Sequence, residues 1–134
     1  MAKWLLLLAS LSGFTGVALG AFAAHGLRGS LHGSLAFTGK LSENMLSVFQ
    51  TGVSYQLWHT MALIGVAVLL LRSPDSTLLK ATGVLFALGI VLFSGSLYLL
   101  TLSGIGKLGM ITPLGGVLWL VAWLCLGLAV WRTL

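Results

Sequence analysis

The side chains with chemical capacity are few, and most fall in one stretch. Residues 51–60 read TGVSYQLWHT. With Gln50 they place Thr51, Ser54, Tyr55, Gln56, His59 and Thr60 in a run, Asn44 to Leu71, that holds no Asp, Glu, Lys or Arg. A run of that length without charge is long enough to cross a bilayer. A histidine can move a proton, hold a metal or anchor a ligand. At membrane depth an ionisable side chain is by default a candidate functional group.

The polar groups are sorted rather than scattered. At 100° per residue, Gly52, Tyr55, Gln56, His59 and Thr60 fall on one helical face, and Leu57, Met61 and Ile64 lie opposite as a lipid face. Two readings follow. The stripe ties helices together, each hydrogen bond contributing about 0.6 kcal/mol in a membrane, or it forms a ligand or proton site. Ser94, Ser96 and Tyr98 in SGSLYLL are the expected partners, with Ser94 and Tyr98 on a shared face. The candidate intramembrane site is therefore Tyr55, Gln56, His59, Thr60, Ser94 and Tyr98.

Other chemistry finds little to stand on. Glu43 and Asp75 are the only carboxylates, and they are expected on opposite sides of the membrane, so there is no acid–base pair. No Ser–His–Asp set can be assembled and no catalytic residue is assigned. No spacing suits a metal. A haem held by His25 and His59 needs both rings across one plane, whereas His59 lies far along its helix. Gly104-Ile105-Gly106-Lys107-Leu108-Gly109 matches G-x-G-x-x-G. The dinucleotide fingerprint needs a preceding strand and a later acidic residue, and neither is present, so a flexible turn is expected. His25, Lys107 and Thr112 are expected at the interface, Lys107 and the Thr112 helix start being suited to a lipid phosphate.

These residues need elements to hold them, and composition says which kind. The 134 residues are 58% hydrophobic and 7% charged, where soluble domains carry about 25% charged residues. A soluble core of this size could not hide so much apolar surface. The net charge of +5 is scattered singly between apolar runs, which argues against nucleic acid and for juxtamembrane charge. The single cysteine, Cys125, cannot form an internal disulfide and reads as packing.

Four spans are expected, at about Trp4–Ala24, Asn44–Leu71, Leu78–Leu102 and Pro113–Trp131. The first resembles a secretory leader ending at Ala21–Ala23, but its apolar run is a full span, so it is expected to be a helix of the protein. Ser42 is the candidate cap of the second, Ser73 of the third with Pro74 in its first turn, and Thr112 of the fourth before Pro113. The second run is about 42 Å as a helix against about 30 Å of hydrocarbon, so its start is expected to project. Leu27, Leu31 and Leu35 suggest a segment on the membrane surface. Lys3, Arg72, Lys80 and Arg132 would share one side and Arg28, Lys40 and Lys107 the other, a positive-inside bias for cytoplasmic termini. Ala9, Gly13, Gly16, Gly20 and Ala24 share a face of the first helix suited to close packing. Trp119, Trp123 and Trp131 share a stripe of the last, where the Trp123 indole N–H wants a partner.

GAFAAHGL (Gly20–Leu27), TGVSYQLWHT, SGSLYLL (Ser94–Leu100) and ITPLGG (Ile111–Gly116) together resemble the domain of unknown function 423 family, the YgdD/YwdK group of small membrane proteins. The resemblance runs almost end to end. It implies a four-span bacterial inner-membrane protein and brings no activity, cofactor or catalytic set. Ala23 stands where that family often has glycine, and Ser54 where a larger polar or basic residue is common.

The expected protein is an all-α, four-helix transmembrane bundle with both termini on one side. Its expected role is non-enzymatic: an accessory, assembly or lipid-binding element whose partners are the bilayer, other copies of itself or a larger membrane complex. A homo-oligomeric transporter or proton relay is the alternative, and a haem- or quinone-binding subunit the third reading.

Overall fold

The computed structural model describes residues 1–27 and 43–133. The expected surface segment at Leu31 and Leu35, Arg28, Lys40 and the Ser42 cap lie outside the described residues.

Five α-helices are described: α1 (Ala2–Phe22), α2 (Glu43–Arg72), α3 (Thr77–Gly89), α4 (Gly95–Ser103) and α5 (Thr112–Thr133). α1 continues through a π-helical turn, Ala23–Leu27. α3 and α4 are one span joined by a second π turn, Ile90–Ser94, marked by a hydrogen bond from the Gly95 N–H to the Ile90 carbonyl. Among the described residues four helical segments are long and apolar enough to cross a membrane: Ala2–Leu27, Asn44–Arg72, Thr77–Ser103 and Gly106–Arg132. The expected all-α, four-span class is what the chain adopts.

Helix ends follow local chemistry. The α2–α3 turn differs from expectation. The Ser73 N–H bonds the Leu69 carbonyl, so Ser73 closes α2 instead of opening α3. Pro74 and Asp75 form the turn, and Ser76 is the cap, its Oγ accepting from the Leu79 N–H at 3.3 Å. Gly104 ends α4 with φ 73°, the left-handed cap that glycine adopts without steric cost. The G-x-G-x-x-G segment is a chain reversal with a 3₁₀ turn, Gly106–Met110.

The centre of the bundle is α2 with the α3–α4 span. α1 lies along α2, and α5 lies along α3. The small face of α1 works inside the bundle: a Cβ at Gly16 would sit 2.8 Å from Leu57 Cδ2. Leu57 thus leaves the expected lipid face and packs on α1, while Met61 is exposed as expected. Lys3 and Pro74 line one surface groove, and Arg132 and Ser76 line another. The outer surface is apolar, with Leu11, Phe14, Val91 and Leu124 exposed, as lipid contact requires.

Candidate functional site

The spans bring their centres to one level. Asn44–Arg72 centres on Trp58, Thr77–Ser103 on Ile90 and Gly106–Arg132 on Trp119, while Ala2–Leu27 centres between Phe14 and Thr15. The polar residues of α2, the π turn and Trp119 therefore meet near mid-membrane, where hydrogen-bonding groups must be satisfied by the protein itself.

The polar stripe of α2 points inward, but it divides. Gln56 and Thr60, four residues apart, turn to α1 and α4. Tyr55 and His59, one position back, turn to the π turn and α5. One residue is 100° of helix, enough to give each pair a different neighbour.

Gln56 joins three helices. Its Nε2 donates to the Ser12 carbonyl at 2.8 Å and to Thr15 Oγ1 at 2.9 Å, and its Oε1 accepts from the Tyr98 hydroxyl at 2.7 Å. Thr60 Oγ1 donates to the Gln56 carbonyl at 2.7 Å. Its one proton being used, the 2.6 Å bond to Ser12 Oγ has Ser12 as donor. Ser94 Oγ donates to the Gly52 carbonyl at 2.7 Å. So Tyr98 meets Gln56, one of its expected partners, and Ser94 meets the Gly52 carbonyl, while Tyr55 and His59 find their neighbours elsewhere. Ser12 and Thr15 were not foreseen. Their only sequence signal is an i, i+3 pair of hydroxyls flanking the small face of α1.

His59 has a different surround. Its ring lies flat on the Trp119 indole, centroids 3.6 Å apart and planes within 1°. The Trp123 Nε1–H donates to His59 Nε2 at 3.4 Å, and Nδ1 lies 2.8 Å from the Tyr55 carbonyl. An indole can only donate and a carbonyl can only accept. His59 is therefore the neutral tautomer with its proton on Nδ1. This answers the Trp123 N–H, whose partner the sequence left unnamed. The Trp119 N–H donates to the Phe86 carbonyl at 3.2 Å. It reaches that carbonyl across Gly89, where a methyl group would collide with the indole nitrogen. Tyr55 stacks on Phe93 and Trp119, at 4.9 and 5.8 Å.

Among the described residues every buried side-chain nitrogen and oxygen has a partner, and no three His, Cys, Asp or Glu side chains converge. Yet the aromatic cluster is not sealed. Tyr55, Trp58, His59, Phe93, Trp119 and Trp123 line a groove of about 650 Å³ between α2 and the start of α5, open at its outer wall. Trp119 is 3% exposed at its floor, while Trp123 and Trp58 are 50% and 62% exposed at its rim. A volume of that order suits a small-molecule site.

The interfacial candidates stand apart from it. His25 is exposed in the π turn after α1, its Nδ1 3.1 Å from the Ala21 carbonyl. Thr15 meets Gln56, so His25 lies about 15 Å further along the axis, and the two histidines do not face each other. Lys107 is exposed in the 3₁₀ turn. Thr112 shares a 2.7 Å hydrogen bond with Ser96 and so ties α5 to α4.

Comparison with known proteins places the chain among membrane proteins. The family model described as "Protein of unknown function (DUF423)" matches residues 19–116. The UPF0382 membrane protein YwdK of Bacillus subtilis is 39% identical over 127 residues, 95% of each chain. The UPF0382 inner membrane protein YgdD of Escherichia coli is 41% identical over 126 residues, covering 91% of this chain and 85% of its own. A UPF0382 membrane protein of Haemophilus influenzae is 42% identical over 121 residues, 90% and 88% of the two chains. No solved structure matches at a significant level.

Proposed function

The chain belongs to the DUF423 family of membrane proteins, and from that premise we propose that it is a non-enzymatic lipid-binding element of the bacterial inner membrane. In this reading the two ends of the bundle differ in role. The termini lie in the cytoplasm, where Lys3, Arg72, Lys80 and Arg132 meet anionic headgroups. The inner-membrane location is supported by the name of the Escherichia coli relative.

One observation carries the lipid-binding role. The polar groups of Gln56, Thr60, Ser94 and Tyr98 are consumed in bonds between helices, whereas the aromatic groove beside His59 is left open. The first is the pattern of structural ties. The second is a concave, mostly apolar site with few polar groups, the form that ligand sites take. A proton path would need titratable groups in sequence through the bilayer, and His59 has both ring nitrogens engaged.

The test is native mass spectrometry of the protein released from nanodiscs. Retention of a bound lipid by the wild type, lost in a groove-filling variant such as Gly116→Phe, is the expected result. Equal retention by both, or metabolite turnover abolished by His59→Ala, would overturn the reading.

A further inference from the structure

The α2–α3 turn joins two spans, Asn44–Arg72 and Thr77–Ser103, and the spans Ala2–Leu27 and Gly106–Arg132 begin and end beside it. It therefore stands at headgroup level. Among the described residues this end gathers four cations, Lys3, Arg72, Lys80 and Arg132, against one carboxylate, Asp75. Lys3, Arg72 and Arg132 are exposed and Lys80 is half-buried. None of the five forms an ion pair with a described residue. Two surface grooves share the turn. Lys3, Leu70, Leu71 and Pro74 line one of about 230 Å³. Ser76, Thr77, Leu78, Ala129 and Arg132 line another of about 460 Å³.

Charge and spacing narrow the partner. Each groove combines one cation with apolar side chains, which fits an anionic headgroup and the first carbons of its acyl chains. The second groove adds hydroxyl donors. Ser76 Oγ accepts from the Leu79 N–H at 3.3 Å, so its own proton remains to donate, and Thr77 is exposed beside it. A guanidinium with hydroxyls matches phosphate oxygens. Pro74 and Ser76 are two residues apart, so their Cα atoms are no more than about 7 Å apart, and the two grooves come that close along the turn. A lipid with one phosphate meets one cation and leaves the other unmet. A zwitterionic lipid adds an ammonium where cations already outnumber carboxylates. Two phosphates on one glycerol bridge match both the spacing and the charge. The free hydroxyl of that bridge suits Asp75, the acceptor between Pro74 and Ser76 in the chain.

We propose that the α2–α3 turn and its two grooves dock a phospholipid with two bridged phosphates, a cardiolipin, Lys3 holding one phosphate and Arg132 with the Ser76 and Thr77 hydroxyls the other. Arg72 and Lys80 add to the positive field around it. The site is separate from the aromatic groove, so the inference goes beyond the lipid-binding reading of that groove and does not depend on it.

The experiment is native mass spectrometry of the full-length protein released from phosphatidylethanolamine nanodiscs. These carry either cardiolipin or phosphatidylglycerol, which has one phosphate, at matched phosphate content. Wild type retains one cardiolipin per chain and holds it in preference to phosphatidylglycerol. Lys3→Gln and Arg132→Gln each weaken retention about fivefold, the effect of one juxtamembrane charge. Lys3→Arg and Arg132→Lys preserve it, and Lys107→Gln, in the turn before α5, leaves it unchanged. Lys3 and Arg132 tie no helices, so both Gln variants keep the wild-type melting curve, which separates lost binding from lost fold. Equal retention of phosphatidylglycerol or phosphatidylethanolamine overturns the inference. So does a loss in only one of the two Gln variants or in neither, or an equal loss in Lys107→Gln. Gly116→Phe separates the two sites. Cardiolipin kept by Gly116→Phe and lost in both Gln variants upholds this site whatever the aromatic groove holds. Cardiolipin lost in Gly116→Phe alone overturns this site and leaves the lipid-binding reading standing. If neither kind of variant alters the retention of any lipid, both fail.

Discussion

The imidazole of His59 lies face to face with the indole of Trp119, 3.6 Å between ring centres and 1° between planes. The contact joins α2 to α5 at the middle of the membrane, where water cannot compete for either ring. Trp119 is fixed from behind by its N–H bond to the Phe86 carbonyl, and His59 along its edges by Tyr55 and Trp123. The stack thus holds together two helices whose backbones touch little.

Removing the indole in steps separates its two contributions. Trp119→Phe keeps an aromatic ring but loses the bond to Phe86, a loss of about 1 kcal/mol. Trp119→Ala also empties the space, for about 3–5 kcal/mol in total. Thermal unfolding in detergent should rank wild type above Trp119→Phe above Trp119→Ala. Equal midpoints for the two variants would mean that the stack holds nothing together.

Two glycines at the ends of the π turn should behave oppositely. A methyl at Gly89 collides with the Trp119 indole, while one at Gly95 meets open space. Gly89→Ala should destabilise by about 1–3 kcal/mol through overpacking. Gly95→Ala should be neutral or stabilise by about 0.5–1 kcal/mol through helix preference. The same melting assay reads both, and a destabilised Gly95→Ala would contradict the packing around the turn.

Gln56 and Tyr98 form an energetic unit. Gln56→Leu frees the Ser12 carbonyl, Thr15 Oγ1 and the Tyr98 hydroxyl together, so it should cost more than Tyr98→Phe. A double-mutant cycle should return a coupling near 0.6 kcal/mol and no more than about 1.7 kcal/mol, the range for bonds between helices in membranes. Zero coupling would separate the two side chains.

The grooves that Lys3 shares with Pro74 and Arg132 with Ser76 make topology testable. Reporter fusions at the two termini should both read cytoplasmic, and a reporter inserted at Lys107 should read the opposite side. Termini on different sides would break the four-span arrangement.

Much of this was legible in the sequence. Charges are scarce and fall between apolar runs, and because a charge at mid-membrane is costly, those gaps mark the four spans. The polar stripe of α2 was visible because helix geometry sets the angle between residues on one helix. So was the unmet need of the Trp123 N–H, since an indole in hydrocarbon requires an acceptor. What geometry within one helix does not set is the rotation of each helix against its neighbours. Packing decided that: Leu57 settling on Gly16, Trp119 crossing Gly89 and the π turn realigning α4 after α3. Those contacts split one stripe into two, sending Gln56 to Ser12, Thr15 and Tyr98, and His59 to Trp119 and Trp123. The sequence by itself determined the spans and the polar character of α2, because they depend on composition and on a single helical period. Only the tertiary structure decided which neighbour each polar group meets, and that the groove opens beside His59, because both depend on how four helices are turned about their axes.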